Sequence, residues 1–285
     1  MTVLEVIQRS TEFLTRKGVD SPRLQVELLL AHVLKLPRLQ LYLNFERPLT
    51  DPEADRLRDL VQRRGRREPL QYLVGEAAFC GRDFAVTPAG LIPRPETEGL
   101  AELAWQWLST HRSAGAQVLD FGTGTGCLAV TLALQQPSAE ITALDISPEA
   151  LDLARANAAR HAVAERVRFV EGEGLGALPD GLAFDLIVAN PPYIPSAEIA
   201  ELQPEVRDHE PRQALDGGPD GLRFIRELAG GLTQLKPGGR LLLEFADGQE
   251  DAAAAVFAGA GWVVNNITPD LSGTPRILVA DAPPA

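Results

Sequence analysis

The apolar run Phe184-Asp185-Leu186-Ile187-Val188-Ala189 ends directly against Asn190-Pro191-Pro192-Tyr193. A short segment rich in Leu, Ile, Val and Phe reads as a strand buried on both faces of a parallel sheet, and proline, which lacks an N–H, stops the ladder there. The chain must therefore turn at Asn190. In open α/β sheets ligands bind beyond the carboxyl ends of the strands, so a polar Asn at such an end is well placed for chemistry. Two prolines in succession leave a stiff loop that offers carbonyl acceptors without donors. The Asn190 side-chain oxygen and a loop carbonyl could each accept one proton of a neutral –NH2 group, while the Tyr193 ring packs on the planar group that carries it. Asn-Pro also initiates turns, so the tetrapeptide alone leaves turn and binding site both open.

From Gln117 onward strand and helix patterns alternate, which predicts an α/β domain with a parallel sheet covered on both faces. Strands are expected near 117–121, 140–145, 167–171, 184–189, 240–246, 262–268 and 276–280, with helices near 127–135, 148–161, 221–235 and 249–259. Lys236-Pro237-Gly238-Gly239 reads as the turn into the fifth strand. Residues 1–75 differ, being all helical. Thr2 with Glu5 and Thr50 with Glu53 form capping-box patterns, Ser21-Pro22 starts another helix, and Leu24, Leu28, Leu29, Ala31 and Val33 are apolar over more than one face. Arg63, Arg64, Arg66 and Arg67 at a helix end are read as charge favourable to the helix dipole, with a partner contact as the alternative. Residues 76–95, with a hairpin around Gly81-Arg82 and the non-helical Leu91–Pro95, are expected to link this domain to a catalytic domain at 96–285, which opens with a helix near Glu96.

The first strand of the alternating region runs into Asp120-Phe121-Gly122-Thr123-Gly124-Thr125-Gly126. Glycine at every second position lets a backbone approach a ligand without Cβ obstruction. Asp145 ends the next strand 19 residues after Gly126, where a carboxylate can bind both hydroxyls of a ribose. A nucleoside cofactor is implied. Gly124-Thr125-Gly126-Cys127-Leu128-Ala129 also fits the Gly-x-Gly-x-x-Ala dinucleotide fingerprint, which keeps a dehydrogenase in view, although no His stands at a strand end to serve as its acid or base. Asp120 either contacts the ligand or shapes the loop through its N–H groups.

The chain of 285 residues carries a net charge of −12, which argues against a broad nucleic-acid surface. That charge is uneven: residues 1–75 hold 13 Lys and Arg against 10 Asp and Glu, and the remainder 14 against 29. The asymmetry supports two domains. Cys80 and Cys127 are too few for a disulfide framework, and the four His residues lack metal-ligand spacing. With no membrane-length apolar run and no signal pattern, a cytoplasmic protein is expected, without membrane contact.

The triple-glycine segment after Asp120 resembles motif I of the S-adenosylmethionine-dependent methyltransferases, and Asn190–Tyr193 resembles the motif of their amino-group-methylating branch. Together with Ile92-Pro93-Arg94-Pro95-Glu96-Thr97-Glu98, the Glu210–Leu222 run and the helical N-terminal region, the whole chain is similar to the PrmC/HemK family. That resemblance implies a class I, Rossmann-like fold with a seven-stranded, mostly parallel sheet and a small N-terminal helical bundle. It implies methyl transfer from S-adenosyl-L-methionine to the side-chain amide nitrogen of the glutamine in the Gly-Gly-Gln motif of class 1 peptide chain release factors, with no direct nucleic-acid partner. Asn190, Pro191, Pro192 and Tyr193 are then the catalytic residues, and Gly122, Thr123, Gly124, Thr125, Gly126, Asp145, Gly174 and Asn190 the cofactor-binding ones; S-adenosyl-L-homocysteine is the co-product. The sequence departs from the family at Gly174, where a larger residue is usual against the adenine, and at Ala246, where Gly is usual. Arg94, Glu96 and Glu98 either line the pocket mouth or form ion pairs. The nearest alternatives are a methyltransferase of exocyclic amino groups on nucleic-acid bases and a non-enzymatic adaptor.

Overall fold

The computed structural model describes residues 1–111 and 115–284. The chain forms two compact units, one made of Met1–Glu76 with Gln203–His209 and the other of Ala77–Leu202 with Glu210–Ala285.

The first unit contains α1 (Val3–Arg16), α2 (Pro22–Leu34), α3 (Arg38–Tyr42), α4 (Asp51–Gly65) and α5 (Leu70–Val74). Both capping boxes form: the Thr2 and Thr50 backbone N–H groups each donate to the glutamate three residues on, Glu5 and Glu53, at 2.9 Å. Apolar on more than one face, α2 packs against α1, α3, α4 and α5. The arginines at the end of α4 do more than favour a helix dipole. Arg63 is paired with Glu68, while Arg64 and Arg67 converge on Glu205 at 2.6 and 2.7 Å, so a carboxylate far along the chain is gripped by two guanidinium groups.

In the second unit β1 (Glu76–Phe79) and β2 (Arg82–Ala85) form a hairpin. Cys80 and Gly81 both take left-handed φ, 48° and 71°, as a two-residue hairpin loop requires. Phe79 and Phe84 meet edge to face and are fully buried in the same core as α6 (Pro95–His111). Next come β3 (Gln117–Phe121), α7 (Cys127–Gln135), β4 (Glu140–Asp145), α8 (Pro148–Arg160), β5 (Val167–Glu171) and β6 (Phe184–Ala189). The one-turn α9 (Pro204–Arg207) belongs to the first unit; α10 (Arg223–Ala229), β7 (Leu235–Glu244), α11 (Glu250–Gly259), β8 (Val263–Pro269) and β9 (Pro275–Asp281) complete the second.

The sheet has the order β5-β4-β3-β6-β7-β9-β8, parallel except for β9, which runs against both its neighbours. Strand alternation feeds two cores. Leu186 and Val188 of β6 face the layer of α6 and α7, while Ile187 and Ala189 face that of α10 and α11. The chain order reverses between β3 and β6, and a crevice opens there beyond the strand ends.

Two boundaries differ from the sequence reading. The helix expected over 221–235 ends at Ala229, and Gly230–Gln234 continues as a 3-10 turn; a Cβ on Gly231 would collide with Leu175. Residues 236–239 are not a turn before a strand but a bulge within β7, where the register with β6 shifts between Phe184 and Leu186. Gly239 permits it, since a Cβ there would lie 2.9 Å from the Lys236 carbonyl.

Candidate active site

The loop from β3 to α7 turns three times through left-handed glycine: Gly122, Gly124 and Gly126 have φ of 72°, 53° and 77°. Their tasks differ. A Cβ on Gly122 would meet nothing within 4 Å and one on Gly124 only the Gly122 carbonyl, so both face open space in the crevice. A Cβ on Gly126 would lie 2.9 Å from that of Ala154, so this glycine lets α7 pack on α8. Asp120 is fully buried and shapes the loop, its Oδ2 accepting from the Thr123 hydroxyl at 2.6 Å and the Ala129 N–H at 3.1 Å. Burial pushes its carboxyl up to about 7. Asp145 closes the loop from β4, accepting from Gly124 N–H at 2.8 Å and Ser147 N–H at 3.0 Å; burial raises its pKa.

A cavity of about 530 Å³ opens on this loop. Gly122, Thr123, Gly124, Thr125 and Asp145 line it, as do Gly174, Asn190 and Pro192. Gly126, Pro191 and Tyr193 are absent from its walls. Gly174 is explained by a neighbour: a Cβ there would overlap the Glu227 carboxylate, which accepts from the Leu175 N–H at 3.2 Å. Glu227 occupies the space a larger residue would need, and Phe224 contributes an aromatic wall to the same cavity.

Asn190 lies at the end of β6 with its amide nitrogen committed, donating to the Thr97 hydroxyl of α6 at 2.9 Å. The loop after it is held by contacts that sequence reading missed. Gln249 donates to the Tyr193 carbonyl at 3.0 Å and accepts from the Ala246 N–H at 3.0 Å, which fixes both loops at once. Gly217 and Gly221 of the Glu210–Leu222 run press on the Tyr193 backbone, since a Cβ on either would collide with it. Ile194 and Gly217 complete the closure with a 2.8 Å backbone hydrogen bond. Burial pushes the Tyr193 hydroxyl up to about 12, leaving it neutral.

The Pro93–Glu98 stretch divides its labour. Arg94 lines the cavity and pairs with buried Glu210 at 2.5 Å, while Glu98 accepts from the Cys80 N–H at 2.8 Å. Ala89–Ile92 forms another wall; a Cβ on Gly90 would sit 3.2 Å from Thr125. Asn157, fully buried in α8, donates to the Ala85 and Thr125 carbonyls and accepts from the Ala85 N–H, tying the hairpin to the glycine loop. The pattern that could have revealed Asn157 is a polar residue inside an apolar helix face.

The donor set fits a nucleoside: two uncrowded glycines under the cavity, a carboxylate at the next strand end and an apolar flank. Among the described residues no three His, Cys, Asp or Glu side chains cluster as metal ligands. No helix among them is long and apolar enough to cross a membrane.

A sheet of this order with an Asn-Pro-Pro loop at its switch point defines a Rossmann-like methyltransferase. Residues 101–203 match the family described as methyltransferase small domain, and residues 5–75 that described as PrmC N-terminal domain. A methyltransferase from Pyrococcus furiosus superimposes with a TM-score of 0.52 at 22% identity, covering 72% of this chain and 91% of its own, which shows the shared fold. The release factor glutamine methyltransferase of Geobacter sulfurreducens is 45% identical over 278 residues, 97% of this chain and 95% of that protein. That of Chlorobaculum tepidum is 48% identical over 255 residues, 87% and 86%. The chain belongs to the release factor glutamine methyltransferase family.

Proposed function

We propose that this protein transfers a methyl group from S-adenosyl-L-methionine to the side-chain amide nitrogen of the glutamine in the Gly-Gly-Gln motif of class 1 peptide chain release factors, in the cytoplasm. The observation that carries this reading is the commitment of the Asn190 amide nitrogen to Thr97, which leaves Oδ1 as the acceptor at the cavity wall. Relatives bearing the release factor glutamine methyltransferase name over nearly the full length support the substrate.

When bound, the cofactor supplies an electrophilic methyl on a sulfonium. Gly122 and Gly124 would give its carrier close backbone approach, and Asp145 would accept from the ribose hydroxyls. An amide nitrogen is a weak nucleophile because its lone pair is delocalised, so positioning supplies much of the rate. Asn190 Oδ1 would take one N–H of the glutamine at the cavity wall and orient its nitrogen, and the Pro191 carbonyl, which lies outside those walls, would take the other once the substrate is seated. The same oxygens would face the positive charge that develops on the substrate nitrogen during transfer. The extra proton leaves to water afterwards. Pro192 walls the pocket, and Tyr193 serves through its backbone, which Gln249 holds. Residues 1–75, mildly basic, form the docking arm for the release factor; 76–95 link them to the catalytic residues 96–285.

The test is mass spectrometry of the Gly-Gly-Gln peptide after incubating unmethylated release factor with the protein and S-adenosylmethionine. One added methyl on that glutamine, lost with Asn190→Ala, is expected. Transfer to nucleic acid in a parallel assay, with no methyl on the peptide, would overturn the substrate.

A further inference from the structure

Helices α1 and α4 of the first unit leave a trough between them that the proposed chemistry does not use. One end is a concavity of about 240 Å³, floored by Val6 and Phe13 from α1 and by Leu57 and Val61 from α4. A second concavity shares Phe13 and Gln62 with the first and continues the trough to Lys17 and Arg66. Gly65 permits that continuation: a Cβ there would lie 2.6 Å from the Phe13 ring, so only glycine lets the ring come this close to α4. The trough follows the length of α1, about 21 Å at a rise of about 1.5 Å per residue.

Its rim is cationic. Arg9 and Arg58 border one concavity, Lys17 and Arg66 the other, and among the described residues no carboxylate lines either. Lys17 and Arg66 occupy the C-caps of α1 and α4, where the helix dipole accounts for them. Arg9 and Arg58 sit in the middle of the same helices, where it does not. The Arg9 guanidinium meets the Met1 sulfur at 3.6 Å, and Arg58 is held by Asp55 in an exposed pair that water screens. Four cations along one trough repel one another, and an acidic partner would relieve that repulsion.

We propose that this trough is the surface by which the helical unit takes hold of an acidic amphipathic segment of the release factor, with apolar side chains set between the helices and carboxylates on the cations. The inference rests on the release-factor reading above. Gly-Gly-Gln offers neither an apolar side chain nor a carboxylate, so the occupant is a different segment of the substrate. Apolar anchors repeating at helical spacing suit a groove of this kind, and an apolar centre inside a polar rim is the usual anatomy of a protein interface. The floor favours protein over nucleic acid. A phosphate backbone would satisfy the cations but leave Val6, Leu57 and Val61 unused, and single-stranded bases need stacking platforms, whereas the trough has one ring, Phe13.

The test is steady-state kinetics of the full chain with unmethylated release factor, for Arg9→Glu combined with Arg66→Glu and, separately, for Ser10→Trp, which fills the trough from its wall. Both are expected to raise the KM for release factor roughly tenfold, with kcat at saturation and the affinity for S-adenosylhomocysteine unchanged. Added salt should raise the parent's KM and leave that of the charge-reversed protein nearly flat. Should either variant fail to fold, photo-crosslinking from benzoylphenylalanine placed at position 10, with release factor and RNA both present, decides. The cross-linked peptide is expected to be an acidic segment of the release factor with apolar residues at helical spacing. A cross-link to RNA or to a second copy of this chain, or folded variants with the parent's KM, would overturn the docking surface and leave the methyl transfer standing. A parent chain that neither binds nor methylates release factor would overturn both.

Discussion

The Arg94 guanidinium meets the Glu210 carboxylate at 2.5 Å, and the arginine keeps 30% of its side-chain surface while the glutamate keeps 2%. The pair joins the segment before α6 to the run that presses on Tyr193. Its two halves are unequal, because Arg94 can rehydrate and Glu210 cannot. Arg94→Ala should destabilise the protein by about 3 kcal/mol, near the lower end for an abandoned buried charge. Glu210→Gln should cost closer to about 1 kcal/mol. Urea denaturation of both variants checks the order; equal losses would contradict it.

Two glycines of the same loop should respond oppositely to alanine. At Gly122 the new Cβ enters open space, so the stability loss is the left-handed backbone term of about 1–2 kcal/mol and the main damage falls on cofactor affinity. At Gly126 the Cβ drives into Ala154, so α7 and α8 must separate and stability should fall further. Thermal melts with and without S-adenosylmethionine distinguish them: the ligand-induced shift is lost mainly in Gly122→Ala, the base melting temperature mainly in Gly126→Ala.

Asn157→Ala removes three hydrogen bonds and strands the Ala85 N–H and two carbonyls, with a cost of about 1–3 kcal/mol for each group left buried and unsatisfied. Since Thr125 is one of the stranded groups and lines the cavity, cofactor binding measured by calorimetry should weaken alongside stability. Unchanged binding in a destabilised variant would show that the hairpin merely packs there.

Asp120 should make stability depend on pH in an unusual direction. Its carboxyl is raised by burial from 3.8 to about 7, so between those values the folded protein holds a proton that the unfolded chain releases. Stability from this group is greatest at the acid end of that window and declines as pH rises, by at most about 1.4 kcal/mol per pH unit. Asp120→Asn retains an acceptor for Thr123 and Ala129 and removes the titration. The difference between parent and variant should therefore move in the variant's favour from about pH 5 to about pH 8. A constant difference would mean that Asp120 is ionised throughout.

What the sequence revealed follows from how local each cause is. The strands β3 to β6, the capping boxes and the glycine loop are written in contiguous residues, and they appear where periodicity and turn chemistry put them. The bulge in β7 reads as a turn in the sequence because Pro237-Gly238-Gly239 satisfies both, and only the β6 register distinguishes them. Gly174 reads as a departure from the family because Glu227, the side chain that fills its space and accepts from the Leu175 N–H 52 positions earlier, is remote in sequence. The contacts of Thr97, Gln249 and Asn157 are not legible for the same reason: each acts on a loop remote in sequence, and nothing next to them signals a partner. Tyr193 was expected in the pocket wall from its place beside Asn190, whereas glycines 217 and 221 take hold of its backbone from the other end of the loop.

Glu205 answers to Arg64 and Arg67, 141 and 138 positions earlier. The helical unit is thus discontinuous in the gene, its last piece encoded within the stretch that follows the Asn-Pro-Pro loop. A recombination event that exchanged the first 76 codons alone would import arginines selected against someone else's acid. Chimeras between relatives should be viable only when residues 203–209 travel with the amino-terminal segment, so the two pieces are inherited as one.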